Sequence, residues 1–180
     1  TRNSGRLLKH FNIDTPLRAY HAHNEHAITE QLLEELKAGQ KLALISDAGM
    51  PGISDPGFLL VRACREAGQT VEVLPGPSAF VTALVASGLP CDRFHFEGFL
   101  PHKKGRRSRL QELAELSTTF VLYESPYRVV KCLKQLAEHC GPERPAAVAR
   151  ELTKLHEEVL TGELQKLAAH FENHKPRGEF

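Results

Sequence analysis

Apolar residues follow a helical period early in the chain and then alternate between strand-like and helix-like runs. Ile28, Leu32 and Leu36 recur at helical spacing, which predicts a helix with Asn24 as its N-cap and a stop at Gly39. Two strand, loop and helix units follow, with strands at 41–45 and 70–74 and helices at about 58–67 and up to 87. This alternation is typical of an α/β protein with a largely parallel sheet and flanking helices.

The second half of the sequence predicts a mixed α/β region. Its first strand, within 92–101, carries Phe94, Phe96 and Phe99, and we expect these rings to pack mainly in the core. Further predicted elements are a helix at 110–116, a strand at 119–123, a helix at 127–139, strands at 146–150 and 157–160, and a last helix opening at 161–163. We therefore predict two α/β lobes, over 1–89 and 90–180, with a boundary near Leu89-Pro90.

The segment 46–57 is crowded with glycine and proline and directly follows the first predicted strand. Glycine admits positive φ and proline fixes φ, so such a loop is shaped in advance for a ligand. It carries Asp47 and Asp55, and no lysine or arginine stands between residues 42 and 61. Phosphate-binding turns depend on helix amides and often on a lysine, so this loop favours a neutral or cationic ligand. A second such loop, 75–79, follows the next predicted strand, and ligands of parallel sheets gather at these strand ends.

The composition is that of an ordinary globular protein. The chain has 180 residues, of which 41% are hydrophobic and 25% are charged, and its formal net charge is +1. No apolar run approaches the roughly 20 residues of a bilayer helix. Residues 1–5 lack the apolar stretch of a signal peptide, so we expect a cytoplasmic protein.

One basic run concentrates cations in a single segment of this nearly neutral chain. It contains Lys103, Lys104, Arg106, Arg107 and Arg109 and is predicted to be a linker before the helix at 110–116. Such runs are often solvated surface loops, but a nearly neutral chain that concentrates its cations in one segment favours contact with RNA phosphates there. We predict that these five residues bind RNA.

The sequence predicts neither a metal site nor an acyl-transfer nucleophile. Its cysteines show no C-x-x-C pairing, which favours buried, reduced thiols: Cys64, Cys91, Cys132 and Cys140. The cluster of His21, His23 and His26 lacks the i, i+4 spacing of helical zinc pairs. Ser78 follows Pro77 without a G-x-S-x-G motif.

Short segments spread over nearly the whole chain carry a family resemblance. They are 4–8 (SGRLL), 20–25 (YH and HNE), 46–57, 74–79 (LPGPSA), 96–101 (FEGFLP), 123–128 (YESP and Arg128) and 149–154 (ARELTK). In this order they resemble the tetrapyrrole methylase superfamily and, within it, the small-subunit ribosomal RNA cytidine 2′-O-methyltransferases. The resemblance implies two α/β lobes, S-adenosylmethionine (SAM) bound between them, a homodimer, and a cytidine ribose 2′-hydroxyl in ribosomal RNA as acceptor.

The resemblance and the chemistry of the loops together suggest the cofactor site. SAM is a sulfonium cation attached to an uncharged adenosine and a zwitterionic amino acid, so its pocket needs carbonyl oxygens, some amides and little positive charge. The expected cofactor contacts are Asp47, Ala48, Gly49, Pro51, Ile53 and Ser54 from the first loop, Pro77, Ser78 and Ala79 from the second, and Leu100 and Pro101 as an apolar wall. The alternative is that the loops are only tight turns and that Leu100 and Pro101 are ordinary packing residues.

Methyl transfer to a ribose hydroxyl is an in-line displacement, in which positioning and exclusion of water supply much of the rate. A base that assists must be a carboxylate or a lysine with a lowered pKa, and the candidates are Glu124, Glu151 and Lys154. Arg128 and Arg150 are candidate clamps for an RNA phosphate or a carboxylate.

Two other functions stay open at the level of the sequence. An enzyme of the same fold would methylate carbon on a corrin or porphyrin precursor, although an acidic macrocycle does not require five clustered cations. A non-catalytic RNA-binding module is the second alternative.

Similar proteins begin with a further strand and a Pro-rich turn and continue beyond Phe180 into closing strands, so we expect both ends of that fold to be missing here.

Overall fold

The computed structural model describes residues 2–180, with side chains from Ser4 onward. The helices are α1 (Arg2–His10), α2 (Glu25–Lys37), α3 (Phe58–Glu66), α4 (Ala79–Ala86), α5 (Arg106–Ala114), α6 (Val129–Cys140) and α7 (Leu164–Asn173). The strands are β1 (Phe94–Phe99), β2 (Thr119–Tyr123), β3 (Pro145–Arg150) and β4 (Glu158–Glu163). The chain divides into two compact units, which we call the first unit (1–78) and the second unit (79–180). The predicted boundary at Leu89-Pro90 lies one helix later than this division.

The first unit is built on the packing of α2 against α3. Leu32 of α2 is buried with Leu60 and Cys64 of α3, as the helical spacing of their apolar residues predicts. Gly39 ends α2 as predicted: its φ is +89°, and its N–H donates to the Leu36 carbonyl. Asn24 does not cap α2 with its side chain, because Asn24 Oδ1 accepts the His21 N–H instead.

The two predicted strands of the first unit are wrong as hydrogen-bonded elements. Segments 41–45 and 70–74 belong to no β-ladder, and the described part of the first unit contains no strand. Apolar β-branched residues give a segment strand propensity, but a ladder also needs a neighbouring backbone at about 4.8 Å. Neither segment forms such a ladder among residues 2–78, and Val73 and Leu74 are exposed.

The second unit contains the sheets. β1 pairs with β2 in parallel, from Phe94 opposite Thr119 to Phe99 opposite Tyr123. β3 pairs with β4 in an antiparallel hairpin. The register of β1 shifts between Phe96 and Gly98, where Gly98 adopts a φ of +68°. All four strands were predicted, with bounds that differ by a few residues.

The core of the second unit forms where α5, α6 and α7 pack together. Its buried apolar residues are Leu100, Leu110, Leu113, Val129, Cys132, Leu133, Leu136, Val148, Leu164, Leu167, Ala168 and Phe171. Phe80 of α4 stacks on Phe96 with ring centroids 4.2 Å apart, which joins α4 to this unit. Phe94 and Phe99 are exposed, so the prediction of inward packing is wrong for these two rings.

The cysteines are free thiols. Cys64 and Cys132 are buried, and burial raises the pKa of both, that of Cys132 to about 11. Cys140 is half-buried and Cys91 is exposed, so the prediction of burial is wrong for Cys91. None of the helices described is long and apolar enough to cross a bilayer.

Candidate functional site

The first Gly/Pro loop is ordered by hydrogen bonds within its own backbone and short side chains. The Ser46 Oγ lies 2.6 Å from Asp55 Oδ2 and 2.8 Å from the Ala48 carbonyl oxygen, so it ties the start of the loop to its end. Asp47 Oδ1 accepts a hydrogen bond from Ser4 Oγ at 3.1 Å. The Asp55 side chain therefore stabilises the loop. The N-cap of α3 is Gly57.

Positive φ angles bend this loop. Gly49, Gly52 and Gly57 have φ of +74°, +82° and +149°, and Ser54 has a φ of +56°. A Cβ on Gly57 would lie 3.0 Å from Leu44 Cδ2 and 3.3 Å from the Gly52 backbone. Glycine at position 57 is thus required by the backbone angle and by the space around it. A non-glycine residue with positive φ, as at Ser54, marks a strained backbone of the kind that clusters at ligand sites.

The first and second Gly/Pro loops lie side by side within the first unit. A Cβ on Gly76 would stand 3.3 Å from Met50 Sδ, and a Cβ on Gly49 would stand 3.9 Å from the Pro77 carbonyl oxygen. The structure therefore brings together the residues predicted for the cofactor from 47–54 and from 77–78. A Cβ at Gly76 would crowd the Met50 side chain, whereas one at Gly49 would make an ordinary van der Waals contact.

The other predicted cofactor contacts belong to the second unit. Ala79 is the first residue of α4, and the Pro101 carbonyl accepts a hydrogen bond from Arg106 Nη1 at 3.2 Å. Leu100 is 2% exposed and packs in the core of α5 and α6, which favours the packing alternative for this residue.

Glu124 is the centre of a buried ionic cluster. Its Oε1 accepts hydrogen bonds from Arg128 Nε at 2.7 Å and from the Ser125 N–H at 2.8 Å, and its Oε2 lies 3.4 Å from Arg106 Nη2. The carboxylate is 5% exposed, and both of its oxygens face guanidinium groups. Such a carboxylate is poorly suited to accept a proton from substrate, so the geometry argues against Glu124 as a base.

Glu151 and Lys154 bind each other. Lys154 Nζ lies 2.8 Å from Glu151 Oε1 and 2.8 Å from Glu179 Oε2. The hydrogen bond with Glu151, and next the one with Glu179, raises the pKa of Lys154, while the hydrogen bond from Lys154 lowers the pKa of Glu151. A general base in this role needs a lysine pKa shifted down or a carboxylate pKa shifted up, and both shifts run the other way.

The two predicted clamp residues, Arg128 and Arg150, also contact other side chains of the chain. Arg128 Nη1 lies 2.8 Å from His102 Nδ1, in addition to its bond with Glu124. Arg150 Nη1 lies 3.3 Å from Glu158 Oε2 across the β3–β4 hairpin. Arg150 also lines a pocket of about 210 Å³ together with Glu151, His156, Arg177 and Gly178.

The basic run separates into buried and exposed members. Arg106 is 8% exposed, and its Nε donates to Gln135 Oε1 at 2.9 Å. Arg109 Nε donates to Glu97 Oε1 at 2.7 Å, and its hydrogen bonds with Glu97 and then Glu112 raise the Arg109 pKa. These contacts argue against both residues as RNA ligands. The cations left over are exposed and form no ion pair with any described residue: Lys103, Lys104 and Arg107.

Helix α5 begins at Arg106, four residues before the predicted start, so the expected linker is partly helical. Lys131, on α6, is a further exposed cation without an ion pair in the described chain. It was not predicted to bind RNA, because it lies outside the basic run in the sequence. We call Lys103, Lys104, Arg107 and Lys131 the basic surface. Burial of Arg106 and the ion pairs of Arg109 separate these two residues from the basic surface, because all six cations carry the same charge in the sequence.

The histidine cluster brings two rings together without further ligands. The His21 and His23 ring centroids are 6.0 Å apart. Across residues 2–180, no group of three or more His, Cys, Asp or Glu side chains is arranged to hold a metal ion.

Comparison with known proteins finds a family model and close relatives. The model described as Tetrapyrrole (Corrin/Porphyrin) Methylases matches residues 2–168. A ribosomal RNA small subunit methyltransferase I of Synechocystis sp. is 51% identical over 100% of this chain, and one of Thermotoga maritima is 42% identical over 99% of it. The chain spans 65% of the length of the first relative and 80% of the second.

The fold has a counterpart among solved structures. The uroporphyrin-III-C-methyltransferase from Thermus thermophilus has a TM-score of 0.60 and 25% identity, over 86% of this chain and 69% of that chain. This likeness confirms the predicted α/β fold class, and the family match over 2–168 confirms the resemblance drawn from the sequence segments. The chain therefore belongs to the tetrapyrrole methylase family.

Proposed function

We propose that this chain belongs to a SAM-dependent methyltransferase that modifies the ribose 2′-hydroxyl of a cytidine in small-subunit ribosomal RNA. The observation that carries the proposal is the pair of adjoining Gly/Pro loops, which offers backbone polar groups and carboxylates but no cation. The names of the relatives that are about half identical over the chain support methylation of small-subunit ribosomal RNA, and the cytidine 2′-hydroxyl comes from the resemblance.

The residues of the paired loops fit SAM. The two loops approach each other at Gly49 and Gly76, and the Asp47 carboxylate belongs to the first of them. A sulfonium cation is favoured near carboxylate and carbonyl oxygens and disfavoured near lysine or arginine. We assign the cofactor to residues 47–54 and 77–78, both in the first unit, and the contacts expected at Ala79 and Pro101 of the second unit stay predictions. When bound, SAM supplies an electrophilic methyl group on its sulfonium.

The chain's own residues contribute positioning more than proton abstraction. Glu124, Glu151 and Lys154 are each held by charged partners, so none is poised as a strong base. Holding the ribose hydroxyl in line and excluding water supplies the rate enhancement that such a transfer needs. The transfer would break the methyl carbon–sulfur bond as the carbon–oxygen bond forms, with the thioether as leaving group, and the hydroxyl proton would pass to water outside the site.

The basic surface is the proposed RNA contact. Arg107 lies in the first turn of α5, a turn without any acidic residue. Cations near a helix N-terminus are disfavoured by the helix dipole by about 0.3–1 kcal/mol each. An RNA phosphate placed there would offset this cost and interact favourably with the exposed amines. A homodimer is a further proposal that comes from the resemblance, and a cytoplasmic location is one that fits a ribosomal RNA substrate.

A carbon methyltransferase of a corrin or porphyrin precursor is the second candidate, favoured by the likeness to the Thermus thermophilus uroporphyrin-III-C-methyltransferase. Titration calorimetry measures SAM binding, and methyl transfer assays with an RNA acceptor and a tetrapyrrole acceptor separate the two candidates. We expect SAM binding and labelled methyl transfer to undermethylated small ribosomal subunits, with none to uroporphyrinogen. Transfer to the tetrapyrrole alone would favour the second candidate, and RNA binding without transfer would identify a non-catalytic module.

A further inference from the structure

The most exposed aromatic residue of the described chain stands next to the basic surface. Tyr127 exposes 96% of its surface, more than any other large apolar or aromatic side chain among residues 4–180. Aromatic rings are normally buried on at least one face, because each removes a large apolar area from water. Packing within the protein therefore does not account for Tyr127.

The backbone that carries Tyr127 is held firmly on both sides. The Ser125 carbonyl accepts hydrogen bonds from the N–H groups of Arg128 and Val129, each at 3.0 Å. Buried Glu124 binds the Ser125 N–H and the Arg128 side chain at 2.8 and 2.7 Å. The ring thus projects from an anchored turn, and a partner that covers it orders little backbone on binding.

Contacts of the neighbouring residues place this turn at the basic surface. Arg128 Nη1 lies 2.8 Å from His102 Nδ1, and His102 directly precedes Lys103 and Lys104. Lys131 lies in the first turn of α6, whose N-cap, Arg128, directly follows Tyr127. The nearby carboxylate of Glu124 is buried and paired with two arginines, so it does not oppose an anion at the surface.

We propose that Tyr127 stacks on an unpaired base of the RNA while the basic surface binds phosphates on either side of it. The inference rests on the proposed RNA substrate and adds that the bound stretch is single-stranded. Bases in a duplex are already stacked on each other, whereas an unpaired base offers a free face to an aromatic ring. Tyr127 then positions the RNA strand and takes no part in the chemistry.

Substitution of the ring tests this directly. Tyr127→Ala should weaken binding of a fluorescein-labelled single-stranded RNA oligonucleotide by about 5- to 150-fold, the range expected for one lost base–aromatic stack. Tyr127→Phe should bind like the wild type. The slope of log affinity against log salt should be unchanged in both, since no charge is removed. An unchanged affinity of Tyr127→Ala, with salt-dependent RNA binding by the wild type, would overturn the stacking inference alone. Wild-type binding to small ribosomal subunits but not to the oligonucleotide would overturn the single-stranded inference alone, and binding to neither would overturn the proposed function as well.

The absence of tryptophan from the chain provides a second readout. Tyr127→Trp creates a single indole, whose fluorescence should be quenched saturably by single-stranded RNA and much less by duplex RNA at equal phosphate concentration. Leu155→Trp, at a site that is 92% exposed, is the matched control and should respond to neither. Equal quenching of Tyr127→Trp by both RNAs would contradict stacking on an unpaired base. Loss of binding by Tyr127→Ala to small ribosomal subunits but not to free RNA would assign the ring to a protein contact and overturn the inference.

Discussion

Different interactions order the paired loops of the first unit and the charged motifs of the second unit: backbone restriction in the loops and ion pairs in the motifs. The loop 46–57 is shaped by glycine, proline and short hydrogen bonds, and its backbone polar groups form the candidate site. The motifs around Glu124 and Glu151 contain the charged side chains that look catalytic, yet those side chains bind one another. The difference shows that a charged residue in a family motif need not act on substrate. Exposure and the lack of an internal partner point more reliably to an external ligand.

The largest effect is expected from breaking the Glu124 cluster. Glu124→Gln removes a buried negative charge between Arg106 and Arg128, and leaving such charges uncompensated costs about 3–5 kcal/mol of unfolding free energy. Urea denaturation measures this loss. Glu112→Gln removes an exposed partner of Arg109 and should cost less than about 1 kcal/mol. A fully stable Glu124→Gln protein that had lost only methyl transfer would instead make Glu124 a catalytic residue.

A substitution in the loop 46–57 is expected to lower stability less, but to weaken cofactor binding specifically. Gly57→Ala combines positive φ with a contact 3.0 Å from Leu44, and strain of this kind costs about 1–3 kcal/mol. We expect weaker SAM binding in calorimetry. Gly68→Ala also has positive φ but nothing within 4 Å of the added Cβ, so it should leave SAM affinity unchanged. Equal loss of SAM affinity in both variants would contradict a specific role for the loop.

The basic surface is tested by single charge removal. Arg107→Gln should lower the salt slope of single-stranded RNA binding by about 0.7, the value for one lost phosphate contact. SAM affinity should not change. Lys175→Gln removes an exposed cation outside the basic surface and should preserve the slope. If the two variants reduced the slope equally, the effect would reflect net charge and not the basic surface.

The smallest effect is expected on the pH dependence of stability, through the carboxylate of Glu97. Burial acts to raise its pKa, but hydrogen bonds from Arg109 and then His95 outweigh burial, so the pKa is lowered. A lowered carboxylate pKa gives stability that is present above the unfolded value of about 4.3 and is lost as pH falls through the folded value. The stability difference between wild type and Glu97→Gln should therefore shrink on acidification below about pH 5. A difference that is independent of pH would contradict this assignment.

The helices and the strands of the second unit were predictable because apolar spacing and Gly stops act locally. The strands at 41–45 and 70–74 were not, because a ladder depends on a neighbour that propensity does not reveal. Helix α1 was missed, since residues 2–10 carry few apolar side chains in a regular period.

The candidate site was predictable in its loops and less so in its charges. Glycine and proline restrict the backbone wherever they stand, so the shape of 46–57 is visible in the sequence. Whether an arginine is buried depends on distant residues, as Gln135 and Glu124 determine the place of Arg106. The exposure of Tyr127 has the same origin, because nothing in its local sequence reports which surface stays uncovered.

The central claim is that this chain serves SAM-dependent methylation of ribose in small-subunit ribosomal RNA. The most direct measurement is transfer from methyl-labelled SAM to undermethylated small ribosomal subunits, followed by alkaline hydrolysis of the recovered RNA. We predict that label enters the RNA and remains in an alkali-resistant dinucleotide, because a methylated 2′-oxygen cannot attack the adjacent phosphate. Label on an alkali-sensitive nucleotide, or label only on a tetrapyrrole acceptor, would contradict the claim.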